Sequence, residues 1–344
     1  MTAGSKQATV IGAGIAGPAA AIALARQGHQ VDVYERRGRG DLWSAGTVAV
    51  TTENFARLSR LGMDVTRLPH LPAGAPAFTE YCTTDCDLKA QPQQTLDRDE
   101  WTTQFNIVRW VDMHDALVSY GEQLGVNYHW RSNGDSPETA INVHAQGVKY
   151  AHHHSSFDYA GYSVFRGVIQ AEPRPDFGWF SVRHQEKEFT LNVGQALPGE
   201  FSWMFYLREP DAPMDTEYLQ AGSKRLTMVQ EAASRLLIPH TAGLIHATGQ
   251  IQATPVGDWK VPEMASWNGR DYGGQGTHFD IGDGIVPVRP HTTMGANLGI
   301  KWALALDWAD DRADLACTWN NYALADYAMW EAKGHELGLE LLGS

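Results

Sequence analysis

The sequence predicts an α/β fold. A parallel-sheet domain is built from both ends of the chain, an antiparallel-sheet domain is inserted between them, and helices close the C-terminus. Three observations carry this reading. A β-prone run, Gln7 to Ile11, passes through closely spaced glycines into an alanine-rich helical run and a second strand. Between Tyr159 and Arg208 the pattern changes to alternating apolar runs separated by turns. From Ala296 nearly to the end, the pattern is helical.

The first unit is the most informative. Gly12-Ala-Gly14-Ile15-Ala16-Gly17 separates the first strand from a helix, Pro18 to Arg26, that ends at Gly28. Pro18 is tolerated in the first turn, where its missing N–H would be unpaired anyway. The next strand, Gln30 to Glu35, ends in an acid. Glycines here permit a tight turn, close approach to a pyrophosphate and close helix–strand contact. The helix N-terminus faces the phosphates and Glu35 accepts from ribose hydroxyls. Strand, glycine loop, helix, strand and acid together predict a Rossmann-type dinucleotide site. Arg36 and Arg37 follow directly; they read equally well as contacts to adenosine phosphates or as a solvated loop.

The chain continues with a short strand, Ala45 to Val50, and a helix, Glu53 to Leu61, closed by Gly62. Residues 64–100 carry mixed turn signals and a few unassigned strands. Asn106 to Trp110 leads into a helix from Val111 to Leu124, and Ala140 to Ala145 is a strand followed by Gln146-Gly147. His152, His153 and His154 are consecutive and share no face, so they are not expected to hold a metal together. Past the alternating segment, Asp215 to Leu237 reads as helix and Ile251 to Pro255 as extended. The helix from Asp307 to Leu342 is expected to break near Gly334.

A second signal lies near the C-terminus. A short apolar strand ends in Gly282-Asp283, a turn carries Arg289-Pro290-His291, and Thr292, Thr293 and Gly295 open a helical run from Ala296 to Ala309. A carboxylate leaving a strand can accept hydrogen bonds from ligand hydroxyls. A helix starting behind that turn offers unpaired N–H groups and a partial positive charge to an electron-rich ring. If both signals serve one ligand, the two ends of the chain meet around it.

Composition narrows the alternatives. A net charge of −13 disfavours nucleic acid and anionic membranes as partners. Three cysteines, without zinc spacing, make neither a disulfide framework nor a metal site. There is no leader and no uninterrupted apolar 18-mer, so a cytoplasmic protein is expected. Twelve tryptophans and twelve tyrosines fit an aromatic-lined cavity or ordinary core packing.

Taken in order, Gly12-x-Gly14-x-x-Gly17 with Glu35, Arg109-Trp110, Tyr159-Ala-Gly-Tyr162-Ser-Val-Phe-Arg166-Gly167, Gly282-Asp283, Arg289-Pro290-His291 and Gly295-Ala296-Asn297 resemble the FAD-dependent aromatic hydroxylases of the para-hydroxybenzoate hydroxylase type. The nearest branch is that of 2,6-dihydroxypyridine 3-hydroxylase. The resemblance implies a discontinuous FAD-binding domain, residues 1–158 and 271–344, and a substrate domain, residues 159–270. It implies an oxidoreductase using FAD, with NAD(P)H as co-substrate, that hydroxylates an electron-rich aromatic or polyketide-like molecule with O2 through a flavin hydroperoxide. A monomer or homodimer is expected. Gly12, Gly14, Ile15, Ala16 and Gly17 would cradle the pyrophosphate, with Glu35 on the ribose and Arg36 and Arg109 along the cofactor. Gly282 and Asp283 would serve the ribityl chain, Pro290 the ring, and Gly295, Ala296 and Asn297 its pyrimidine end. His291 is the candidate base or proton relay, and reads equally as a cap on the helix; Tyr162, Arg166 and Tyr206 are candidates to line the substrate cavity, with Arg166 equally readable as a structural ion-pair partner.

The chain departs from the family at two places. The family usually has Asp-Gly where Gln146-Gly147 stands, and a β meander where only Val126 to Thr139 is available. Both lie on the cofactor side. They admit a flavoprotein that catalyses cyclisation or rearrangement without net oxidation, or a relative without catalysis.

Overall fold

The computed structural model describes residues 6–41, 46–73, 77–82, 104–132, 137–147, 157–172, 179–184, 188–211, 216–237, 239–259, 276–285, 287–308 and 313–342. His152, His153, His154 and Cys86 lie outside these residues.

Strand β1 (Gln7–Ile11), helix α1 (Ala16–Arg26) and β2 (Gln30–Glu35) form the predicted strand–glycine loop–helix–strand unit, with β1 and β2 parallel. Helix α1 is lined with small residues, and all of Gly17 to Leu24 is buried. Next come β3 (Thr47–Thr51), α2 (Thr52–Arg60), β4 (His70–Leu71), β5 (Ala77–Cys82), β6 (Phe105–Arg109), α3 (Trp110–Gln123), β7 (Asn127–Trp130) and β8 (Ile141–His144). Sequence reading missed β6 and β7. Residues Phe105 to Val108 are all buried, so β6 shows no alternation to read.

The antiparallel segment follows as β9 (Phe157–Gln170), β10 (Trp179–His184), β11 (Phe189–Leu197) and β12 (Glu200–Arg208). Then come β13 (Glu217–Tyr218), α4 (Lys224–Leu236), α5 (Pro239–His246) and β14 (Gln252–Trp259). The chain ends with β15 (Thr277–Asp280), α6 (Met294–Leu304) and α7 (Ala313–Leu342).

Three sheets result. The first has the order β15-β8-β1-β2-β7 and every neighbouring pair is parallel. β15 arrives from the far end of the chain to lie beside β8, so the two ends do meet. The second sheet has the order β13-β14-β9-β12-β11-β10-β5 and is antiparallel except where β10 meets β5. The third is β3-β6-β4.

Three helix expectations are corrected. The helix expected from Asp215 starts only at Lys224. Glu217 and Tyr218 pair with Ala253 and Gln252 instead, and Ser223 caps the helix by accepting from Leu226 N at 3.2 Å. The helix expected over 296–309 runs from Met294 to Leu304 and tightens into a 3-10 turn, Ala305–Trp308. Helix α7 continues through Gly334 without a break. A β-carbon at Gly334 would stand 3.1 Å from Thr292 Cγ2 and 3.2 Å from Arg289 Cβ, so this glycine permits close packing rather than ending the helix.

The core divides accordingly. One cluster holds the parallel sheet, α1, α3 and α6. A second packs α4 and α5 on one face of the antiparallel sheet. The opposite face carries Tyr162, Val164, Tyr206 and Val256 and packs against Leu342 at the end of α7. Side chains alternate along β9, so Tyr162, Val164 and Arg166 share this face, and Tyr206 stands opposite Val164 in the register. No helix among the described residues is long and apolar enough to cross a membrane.

Candidate functional site

The phosphate half is built by the glycine loop. A β-carbon at Gly12 would lie 2.3 Å from Ala145 O, and Gly12 adopts φ +101°, which only glycine tolerates well. Around Gly14 nothing comes within 4 Å of a built β-carbon, so the loop opens there toward the space in front of α1. Helix α1 begins with no side-chain cap and no acid in its first turn, which leaves its N–H groups and positive end for an anion. Ile15 is buried in the core and offers only its backbone. Ala16 is the point of crossing: β-carbons at Gly282 and Gly299 would stand 3.2 and 3.1 Å from its Cβ.

Glu35 is buried, and each carboxylate oxygen accepts one backbone N–H, from Ala13 at 2.9 Å and from Arg37 at 2.9 Å. It thus ties the end of β2 to the glycine loop and keeps lone pairs for ribose hydroxyls. Arg36 is exposed. Beneath the loop, His114 from α3 is buried, reaches Ala13 O at 3.0 Å and stacks on Trp110. Gln146, in the place of the family's acid, is exposed beside the loop, its Cα 3.2 Å from a β-carbon built on Gly12.

Arg109 does not stand free for a ligand. It forms a two-pronged ion pair with Asp112, 2.6 Å at both contacts, and a 3.2 Å contact with Glu200 on β12. In this arrangement it joins α3 to the second sheet.

The ring half is built by the turn before α6. Thr293 holds φ 59° and ψ 6°, a left-handed conformation rare for a β-branched residue. Its neighbours fix it. Thr293 N donates to Pro290 O at 3.1 Å, and Thr293 O accepts from Asn297 Nδ2 at 2.9 Å. Thr292 Oγ1 caps Met294 N at 3.2 Å. The N–H groups of Gly295 and Ala296 come next in the first turn, where a helix has no partners of its own to give them.

The Asn297 side chain fastens the start of α6 to its neighbours. Its Oδ1 accepts from Thr51 N at 2.8 Å and Asn54 Nδ2 at 3.1 Å, and its Nδ2 donates to Ala49 O and Thr293 O. The side chain is fully engaged inside the protein, so only its backbone is left to face a ligand.

Asp283 sits after β15 in a 3-10 turn, its Oδ1 3.4 Å from a β-carbon built on Gly295. Burial raises its carboxyl to about 6, against the opposing pull of Arg166. Burial likewise lowers the Arg166 guanidinium, whose charge is partly offset by Tyr206, Asp283 and Tyr218. Burial also pushes the Tyr206 hydroxyl well up. His291 is held down at about 4 by burial, with Nε2 2.9 Å from Gly334 O. Its ring stands edge-on to Tyr206, centroids 6.0 Å apart.

Arg166 Nε, Tyr206 Oη and His291 Nδ1 are buried with no hydrogen-bond partner among the described residues. Buried polar atoms are normally satisfied, and these three are neighbours in pairs: the Tyr206 ring meets that of His291, and its hydroxyl feels the Arg166 charge. Tyr162 is not among them, because its hydroxyl accepts from Arg289 Nη1 at 3.1 Å, and burial raises it to about 12.

Arg289, Asp258, Gly334 and Tyr327 are functional-site neighbours that sequence reading left without a role. Arg289 is 2% exposed, grips Asp258 through two contacts of 2.6 Å, and joins His335 of α7. Tyr327 of α7 is buried beside Gly282 and Asp283. Nothing in the linear order of the chain signals these partnerships.

The residues fit a flavin dinucleotide. Gly14 leaves a cradle that a side chain would fill, the N-terminus of α1 has no side-chain cap, and buried polar atoms of Arg166, Tyr206 and His291 lack partners among the described residues. The profile of an NAD(P)-binding Rossmann-like domain matches residues 10–41. No curated protein matches the chain. Among solved structures, CtdE in complex with FAD and substrate 4 gives a TM-score of 0.76 at 14% identity, over 98% of this chain and 90% of that one. The 2,6-dihydroxypyridine-3-hydroxylase of Arthrobacter nicotinovorans gives 0.75 at 18%, over 98% and 93%. A point variant of Klebsiella pneumoniae HpxO, complexed with FAD, gives 0.72 at 17%, over 98% and 91%. The chain therefore has the FAD-binding monooxygenase fold, the likeness that Gly12–Gly17, Gly282-Asp283 and Arg289–His291 had implied.

Proposed function

We propose that this protein is an FAD-dependent monooxygenase that hydroxylates an electron-rich aromatic or polyketide-like small molecule, using O2 and NAD(P)H. The observation that carries the reading is the set of polar atoms without partners among the described residues, Arg166 Nε, Tyr206 Oη and His291 Nδ1, in the half of the molecule where α6 starts. When bound and reduced by NAD(P)H, FAD supplies oxygen activation and an electrophilic oxygen atom.

The protein's own part is binding, orientation and proton handling. Gly14 and the start of α1 would hold the pyrophosphate in the loop that Gly12 and Gly17 shape, Glu35 the ribose and Asp283 a ribityl hydroxyl. The N–H groups of Gly295 and Ala296 stabilise negative charge at the pyrimidine end of the ring. Arg166 and Tyr206 donate to a ring hydroxyl or its oxyanion. His291 Nδ1 accepts a hydrogen bond from that hydroxyl; with its ring held near 4 it stays neutral and polarises the O–H rather than stripping it fully. The apolar face of Tyr162, Val164 and Val256 excludes water.

The test is direct. The purified protein takes up FAD with a yellow flavin spectrum, and NAD(P)H consumption rises with a suitable phenol or hydroxypyridine. Failure to take up FAD under any condition would overturn the proposal. Gln146, uncharged beside the glycine loop, supports a second reading, a flavoprotein catalysing cyclisation or rearrangement. That reading predicts bound FAD that NAD(P)H does not bleach.

A further inference from the structure

Helix α7 is the element that reaches every part of the ring half. Tyr327 is buried beside Gly282 and Asp283. Gly334 lies against Thr292 and Arg289. His335 Nδ1 is 2.8 Å from Asp258 Oδ2 and 3.2 Å from Arg289 Nη2. Leu342 O accepts from Arg208 of the second sheet at 2.8 Å. Glycine weakens a helix relative to alanine, so the buried Gly334 is a local sacrifice in α7.

We propose that Gly334 is a positioning residue for His291: its missing side chain lets α7 close on the Arg289–Thr292 turn, and its carbonyl holds His291 as the Nε2–H tautomer with Nδ1 left as a free acceptor. A carbonyl oxygen only accepts, so the 2.9 Å contact requires the proton on Nε2. The carbonyl has a second lone pair for its own helix bond. Nδ1 is then an unprotonated, buried nitrogen with no partner among the described residues. The opposite tautomer would set two lone pairs, those of Nε2 and Gly334 O, against each other at that distance. Arg289 holds the turn from the other side through Asp258, and Asp258 and Arg289 both contact His335, one residue from Gly334. The same contact network therefore sets both the height of the turn and the tautomer of its histidine. The use of Nδ1 as the acceptor for a substrate hydroxyl rests on the monooxygenase reading above; the tautomer does not.

The experiment is nitrogen-15 NMR of the apo protein labelled at histidine, with His291 identified by the signal lost in H291Q. The wild-type His291 ring shows a protonated-type Nε2 and an unprotonated-type Nδ1 at neutral pH. In G334A, a β-carbon 3.1 Å from Thr292 Cγ2 and 3.2 Å from Arg289 Cβ displaces the turn, and signals of the Nδ1–H tautomer appear. Its melting temperature falls by a few degrees, because the added β-carbon overpacks a buried contact, while the protein still folds. The exposed control M329A on the same helix leaves the His291 signals where they were. In FAD-loaded enzyme, G334A lowers kcat about tenfold with little change in KM, the signature of misplacement at the reacting group. A wild-type Nδ1–H tautomer, or a folded G334A with an unaltered spectrum, overturns the proposal. Should G334A fail to fold, the wild-type tautomer decides alone. Absence of turnover with every substrate would count against the monooxygenase reading and leave the NMR result standing.

Discussion

Gly17 lies so close under Gly12 that a β-carbon on it would sit 1.8 Å from the Gly12 carbonyl oxygen. Gly12 is in turn pressed on Ala145 O, while Gly14 faces open space. The three glycines of one motif therefore answer to different demands: two to the fold, one to the ligand. G12A and G17A are expected to lose ~3 kcal/mol or more of stability, or to be insoluble. G14A is expected to melt within about 1–2 °C of wild type, since nothing in the protein touches the new methyl group. Its affinity for FAD falls at least about tenfold, because the pyrophosphate needs that space. Thermal melts and a flavin-fluorescence titration separate the two classes; a G14A protein that binds FAD normally would refute the assignment of the cradle.

Asn297 bonds through both side-chain atoms to α2, β3 and its own helix start. N297D replaces a donor facing two carbonyls with an acceptor. Leaving buried groups unpaired costs ~1–3 kcal/mol each. The expected loss is about 3 kcal/mol for N297D and about 1 kcal/mol for N54A, measured by urea unfolding. Equal losses would show that the Asn297 donor has no special part.

Much of the phosphate half was legible because it is local. Strand, glycines, helix and Glu35 lie within one stretch, and backbone geometry alone forces glycine at Gly12. The antiparallel sheet was legible because alternation is a local signal too. The side-chain partners of Asn297 and Arg109 were illegible for the opposite reason: residue type shows what a side chain can bond, not which distant partner reaches it first. Gly334 was read as a break because glycine in a helical pattern usually weakens it. Only the distance to Thr292 and Arg289 shows the close approach that the glycine serves. β6, with Phe105 to Val108 all buried, has no periodicity to betray it.

Arg289 and Asp258 hold the turn of the ring half to the second sheet. Removing one partner strands the other charge in a largely buried place. R289A is expected to cost ~3–5 kcal/mol and D258N less. R289K keeps the charge but cannot span both carboxylate oxygens and Tyr162 Oη at once, so it should recover less than half of that loss. Chemical denaturation of the three variants ranks them; full rescue by lysine would mean that charge alone matters.

His291 and Asp283 impose opposite pH dependences on stability. Burial holds His291 at about 4, below its ordinary 6.5. As pH falls from 6.5 toward 4, the unfolded chain binds a proton that the folded chain refuses, so stability is lost over that window, by ~3 kcal/mol in full. Burial raises Asp283 from 3.8 to about 6. As pH rises from 3.8 toward 6, the unfolded chain releases a proton that the folded chain keeps, so stability is lost in the other direction, again by ~3 kcal/mol. The two windows nearly coincide, and in the wild type the two slopes largely cancel. Each single variant should therefore uncover the other residue. Relative to wild type, D283N should gain stability on going from pH 4 to pH 6, because the Asp283 penalty is gone and the His291 slope stands alone. H291Q should lose stability over the same range. Urea unfolding at about pH 4.5, 5.5 and 6.5 reads this as a difference from wild type, which subtracts every other titrating group. Curves for D283N and H291Q that run parallel to the wild type would mean that neither group is desolvated in the folded protein as its burial requires.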